Sequence, residues 1–78
     1  MTIDRTLSFE LSNDGDEIDI HFNEAGLDDC ISILQQAKMP GFRHEHLMTH
    51  SWGGEELTEE VQCENAKLIH KVTIHKWK

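Results

Sequence analysis

The sequence has no tyrosine, one proline and two cysteines, and aromatic residues make up only 6% of it. Two cysteines cannot build the many-bridged framework of a small secreted domain. Cys30 and Cys63 lie far apart and form no CxxC pair. Cys30 falls on the apolar side of a predicted helix, as a buried thiol does, and Cys63 falls in a polar loop. No run of apolar residues is long enough for a membrane span, and no basic lead-in precedes a signal-like stretch. The cytoplasm is therefore the expected location. Basic residues are scarce too: 7 Lys and Arg against 15 Asp and Glu, for a formal charge of −8. Up to Ala37 there are nine acids and one base, Arg5; from Lys38 onward there are six of each. An acidic face of this kind repels phosphate backbones, which argues against nucleic-acid binding. It attracts basic proteins and speeds their encounter.

What is present fits one small domain spanning residues 1–78. A chain of this length buries only about 60% of its unfolded surface. A Rossmann unit or a deep catalytic cleft has no room here. Arg5 to Leu11 alternates apolar and polar residues, with Leu7, Phe9 and Leu11 on one face, and so predicts a strand. Asp14-Gly15 then marks a hairpin turn. Glu17 to Phe22 alternates again, which predicts Ile18, Ile20 and Phe22 facing inward and Asp19 and His21 facing solvent. Asn23 is a plausible helix cap, and Glu24, Asp28 and Asp29 suit the positive end of the helix dipole. Leu27, Cys30, Ile31, Leu34 and Ala37 recur at helical spacing, and Pro40-Gly41 ends the helix.

Glu45 to His50 predicts a third strand, with Glu45, Leu47 and Thr49 on one face and His44, His46, Met48 and His50 on the other. Glu55 to Val61 reads as an edge strand or a loop. Ala66 to Trp77 predicts one long strand with Leu68, His70, Val72 and Ile74 inward. The expected fold is α+β: a small single-layer antiparallel or mixed sheet, in the order β-β-α-β-(β)-β, with one helix packed on one face. Exposed edge strands leave either a monomer or a homodimer open.

Few residues point to chemistry. His44, His46 and His50 share one side of an extended segment, and a His-x-His pair on a strand can ligate a metal. No cysteine or aspartate nearby completes a tetrahedral set, so a polar strand face is the favoured reading and no cofactor is expected. His70 reads as a hydrogen-bonded core histidine. Ser51 and Cys63 lack the context of a nucleophile. The neighbouring pairs Glu55/Glu56 and Glu59/Glu60 point apart on a strand and form no acid–base dyad. Gly53-Gly54 is too short for a phosphate loop. No enzyme is expected from this set. Trp52 has two readings, a plug for the end of a small core or a surface anchor for a partner. The plug is favoured, because a small core needs large side chains.

The run HLMTHSWGGEEL from His46 to Leu57, followed by Thr58 and a last strand ending Lys76-Trp77, resembles the Imm32 family of bacterial immunity proteins. The layout agrees over most of the chain, with "DGDEIDIHF" as a strand and "EAGLDD" opening a helix. The resemblance implies inhibition of a cognate toxin by tight binding, without catalysis. It brings forward His46, Trp52, Gly53, Gly54 and Leu57 as fold or interface positions. A basic toxin is the partner that the acidic composition would suit. On that logic Asp14, Asp16, Glu17, Asp19, Glu24, Asp28 and Asp29 are the expected contact residues, with the second acidic cluster, Glu55 to Glu64 and within it Glu55 and Glu56, as the competing surface. A histidine-based metal-binding or small-molecule-sensing domain is the alternative.

Overall fold

A computed structural model describes residues 4–77. Residues 1–3 and 78, the ends of the expected domain, lie outside the described residues. The order of elements is β1 (Leu7–Leu11), β2 (Ile18–Phe22), α1 (Glu24–Gln36), β3 (His44–Met48), a 3-10 turn (His50–Trp52), β4 (Lys67–Leu68) and β5 (Lys71–His75). The α+β reading with one helix holds. The strands, however, divide between two antiparallel sheets instead of one: β2-β1-β4, and β3-β5.

The hairpin forms where alternation and Asp14-Gly15 place it. Leu7 pairs with Phe22, Phe9 with Ile20 and Leu11 with Ile18. The Asp14 carboxylate accepts the Ser12 hydroxyl at 2.6 Å and the Asp16 amide at 3.0 Å, which fixes the turn. Asn23 caps α1 as expected. Its side-chain oxygen accepts the Gly26 amide at 2.9 Å and the Thr6 amide at 3.0 Å, so one residue starts the helix and docks it on the lead-in to β1. That docking requires glycine at 26, because a Cβ there would stand 1.6 Å from the Thr6 carbonyl oxygen. The helix ends at Gln36, a turn before Pro40, and relaxes through tighter bonds from the Lys38 and Met39 amides to Gln35 and Gln36.

The long final strand is broken in two. Lys67 and Leu68 pair with β1, the Ile69 amide bonds Phe9, and the chain then crosses to pair β5 with β3. Leu47 pairs with Val72 and Glu45 with Ile74 in that second sheet. The core is where the layers meet: Leu7, Leu47 and Leu57 are buried, with Phe9, Cys30, Ile33, Val72 and Ile74 packed around them. Glu55 to Val61 is irregular chain, joined to Thr49 by one isolated bridge at Leu57.

The inward assignment of β2 is overturned. Ile18 is 63% exposed, Ile20 51% and Phe22 48%, whereas Asp19 and His21 are half-buried. Two features account for this. Strand β2 lies at the sheet edge, and one 13-residue helix, which touches β1 and β2 alike, leaves the row about half exposed. The opposite, polar face of the hairpin is instead roofed by the segment after Leu57, which hydrogen-bonds into it at Glu10.

Candidate interface and a buried polar centre

Two regions of the molecule concentrate groups that a small core would not otherwise place there. The first is the outer edge of the hairpin. The exposed row Ile18, Ile20 and Phe22 runs along β2, the edge strand. Asp14, Asp16 and Glu17 are exposed at one end of this row, in the turn, and Glu24 and Asp28 are exposed at the other, on the start of α1. Ile31 and Leu34 are also about half exposed. At 100° per residue they stand on the flank of α1 away from Asp29. The acids expected at an interface are thus set around an apolar strip that period-two reasoning assigns to the core.

Not all of these carboxylates are free. Asp29 is paired with Arg5 at 2.7 Å. Asp14 is engaged in its turn, and the Ser12 hydroxyl and Asp16 amide hold its carboxyl below the usual aspartate range. Asp19 lies on the opposite face from the apolar row, beside Glu10 in the register. In the competing cluster, Glu56 accepts the Met48 amide at 3.1 Å, and the Glu55 carbonyl accepts Arg5 at 2.5 Å. Glu56 braces the loop through its carboxylate and Glu55 through its backbone carbonyl alone, leaving the Glu55 side chain exposed, and with Arg5, Asp29 and Ile33 they line an open surface pocket of about 260 Å³.

The segment from His46 to Leu57 divides between core and surface. Leu47, Thr49 and Leu57 are buried. Gly54 is buried against β3, where a Cβ would sit 2.5 Å from the Met48 carbonyl oxygen. Gly53 closes the 3-10 turn at φ +94°, in the left-handed region that glycine reaches freely. Trp52 does not plug the core. It is 57% exposed and lies flat on His70, with ring centroids 5.6 Å apart and planes 3° from parallel. The turn made by His50–Trp52 lifts the indole out of the line of β3. His70 is half-buried and hydrogen-bonded through Nδ1 to the Thr49 hydroxyl at 2.7 Å. The Ser51 amide and hydroxyl hold the nearby Glu59 carboxyl below its ordinary value.

The three histidines singled out in the sequence do not converge. His44 and His46 stay on the outer face of β3, with ring centroids 5.1 Å apart, and His46 bonds Thr73 at 3.0 Å. The ring that joins them is His75, opposite His44 in the register, with Trp77 stacked beyond it. His50 leaves the strand into the 3-10 turn.

The second region is one that the sequence does not disclose. Glu10 is completely buried on the polar face of β1. One carboxylate oxygen, Oε2, accepts the Ser8 hydroxyl at 2.5 Å and the Gln62 amide at 2.8 Å; the other, Oε1, accepts the Cys63 amide at 3.0 Å. His21 Nε2 lies 3.9 Å from Oε1 and 3.2 Å from Cys63 Sγ. Burial pulls the Glu10 pKa up, but the Ser8 hydroxyl, the two amides and His21 outweigh it and hold the carboxyl below its ordinary value. Gln62 and Cys63 lie more than fifty residues from Glu10 along the chain, so no local pattern signals this arrangement.

A family model described as Immunity protein 32 matches residues 17–72, more than two thirds of the chain. The match begins at the end of the hairpin turn and takes in His21, the His46–Leu57 run and Cys63, while β1 precedes it. Neither a curated protein nor a solved structure matches the chain.

Proposed function

The chain belongs to the Immunity protein 32 family, and from that premise we propose that it neutralises a cognate bacterial toxin by stoichiometric occlusion, making and breaking no bond itself. The observation that carries the reading beyond the family is the exposed apolar row Ile18, Ile20 and Phe22 with carboxylates at both ends. An exposed apolar strip is costly for a small soluble domain unless a partner covers it. An edge strand also offers unpaired backbone groups, to which a partner can add a strand or a loop. The surrounding acids supply long-range attraction to a basic toxin, whose active-site path the immunity protein would mask. Inhibition by occlusion alone can be very tight: colicin nucleases and their immunity proteins reach Kd values of about 10⁻¹³ M or below.

Trp52 joins this reading as a second anchor, since it is large, exposed and stacked on His70. Asp16, Glu17, Glu24 and Asp28 are the carboxylates best placed to face a partner, being exposed around the strip. For a toxin that acts inside the producing cell, this reading places the protein in the cytoplasm. Co-expression with the toxin gene adjacent to its own tests the reading. The expected result is rescue of growth together with co-purification of both proteins. Failure to rescue, with no complex at micromolar concentration, would refute it.

A further inference from the structure

The geometry points to a binding site for a zinc-class divalent metal ion, formed by Glu10, His21 and Cys63. Their candidate ligand atoms all lie within 4.8 Å of one another. A tetrahedral ion with the usual Zn–S, Zn–N and Zn–O bond lengths needs ligand atoms about 3.4–3.6 Å apart. Two of the three separations, 3.2 Å from Sγ to Nε2 and 3.9 Å from Nε2 to Oε1, bracket that requirement, and the third, Sγ to Oε1, is within 4.8 Å. Small side-chain movements would seat the ion without moving a strand.

The donor chemistry agrees with the spacing. A carboxylate offers about four acceptor positions. Three are taken, by Ser8, Gln62 and Cys63, which leaves one on Oε1, the oxygen nearer His21. Those three hydrogen bonds also orient the carboxylate, as outer partners of a metal ligand do. Sulfur, imidazole nitrogen and one carboxylate oxygen make a set suited to zinc and to neighbouring transition ions, and unsuited to calcium or magnesium.

Charge gives a separate reason. Glu10 is fully enclosed, and among the described residues no lysine or arginine is paired with it; His21 is the only ion-pair partner, at 3.9 Å. On binding, the Cys63 thiol gives its proton to solvent and its sulfur bonds the ion. One dication, one thiolate and one carboxylate then sum to zero charge beside neutral imidazole. Half-buried His21 and Cys63 leave the site accessible from solvent, with a fourth position for water. The ion would tie β1 and β2 to the irregular segment around Cys63, so metal binding would stabilise the fold.

The test uses the full chain, stripped by chelator, titrated with zinc by calorimetry and with cobalt(II) by absorption. The expected result is one ion per chain at micromolar affinity or tighter, with proton release and a thiolate-to-cobalt charge-transfer band. Cys63→Ser should abolish that band, and Cys63→Ser or His21→Gln should weaken zinc binding at least about 10-fold. A His44→Ala/His46→Ala/His75→Ala variant should bind as the parent does. Absence of saturable uptake, or of the charge-transfer band in the parent, would overturn the site whether or not a variant folds. So would uptake that survives loss of Cys63 and His21, or that vanishes with the exposed histidines.

Discussion

Replacing Glu10 by alanine should be among the most damaging single changes in this chain. The carboxylate is fully buried and gathers the Ser8 hydroxyl and the Gln62 and Cys63 amides. Its removal strands one buried donor, the Ser8 hydroxyl, and two part-buried amides under the roof that the carboxylate itself holds down. Each buried unpaired donor costs about 1–3 kcal/mol, and water entering the vacated space recovers part of that. The expected net loss is about 3–5 kcal/mol. That is a large share of the roughly 5–15 kcal/mol available to a domain, and it corresponds to a fall in Tm of about 12 °C or more. Glu10→Gln, which keeps one acceptor oxygen, should fall between the parent and alanine. Urea unfolding followed by far-ultraviolet circular dichroism measures both. A loss below about 1 kcal/mol for Glu10→Ala would refute the reasoning. The pH dependence has a definite sign. The folded carboxyl titrates below its ordinary value, so folding favours its charged form. Its contribution is complete above the ordinary glutamate range, about pH 4.3, and is lost as pH falls through the lower folded value. Glu10→Gln should flatten that part of the acid-stability profile.

Three further changes separate packing from binding. Gly26→Ala should cost more than about 2 kcal/mol in chemical denaturation, because its Cβ would collide with the Thr6 carbonyl under the helix; a neutral result would mean that α1 docks differently. Trp52→Ala should stay within about 1 kcal/mol of the parent in stability, since the indole is more than half exposed, while weakening toxin binding by about 2 kcal/mol or more. A large fall in Tm would return Trp52 to the core. Reversing Asp16 together with Glu17, both exposed at the end of the apolar row, to lysine should slow toxin association and reduce its salt dependence in stopped-flow mixing. Unchanged rates would move the encounter surface elsewhere.

Local rules read much of the fold correctly. Period-two alternation locates β1 and β2, the Asp14-Gly15 pair locates their turn, and Asn23 is legible as a cap because its job is done within three residues. The two faces of β3 are also separable, with Leu47 and Thr49 buried and His44, His46 and Met48 on the other side. Alternation says which residues share a face, though, and not what covers it. Hydrophobicity assigns Ile18, Ile20 and Phe22 to the core, yet their cover depends on where one helix lands. The Glu10 centre is hidden for a related reason: Ser8 and Glu10 look like a solvent face until a segment some fifty residues later folds over them. The final strand looks continuous because its alternation crosses Ile69 and His70 without a break, while the pairing partner changes from β1 to β3 there. Size alone places Trp52 inside, and the turn that exposes it is made by the residues beside it.

The most direct test of toxin occlusion at the β2 edge is a calorimetric titration of the cognate toxin with the parent chain and with Ile20→Ser. Ile20 is half exposed, so the substitution should lower Tm by only a few degrees and leave the chain folded at the titration temperature. The account predicts a saturable one-to-one complex for the parent and at least about 30-fold weaker binding for Ile20→Ser, the equivalent of roughly 2 kcal/mol. Equal affinity for the two proteins, or no complex with either, would contradict it.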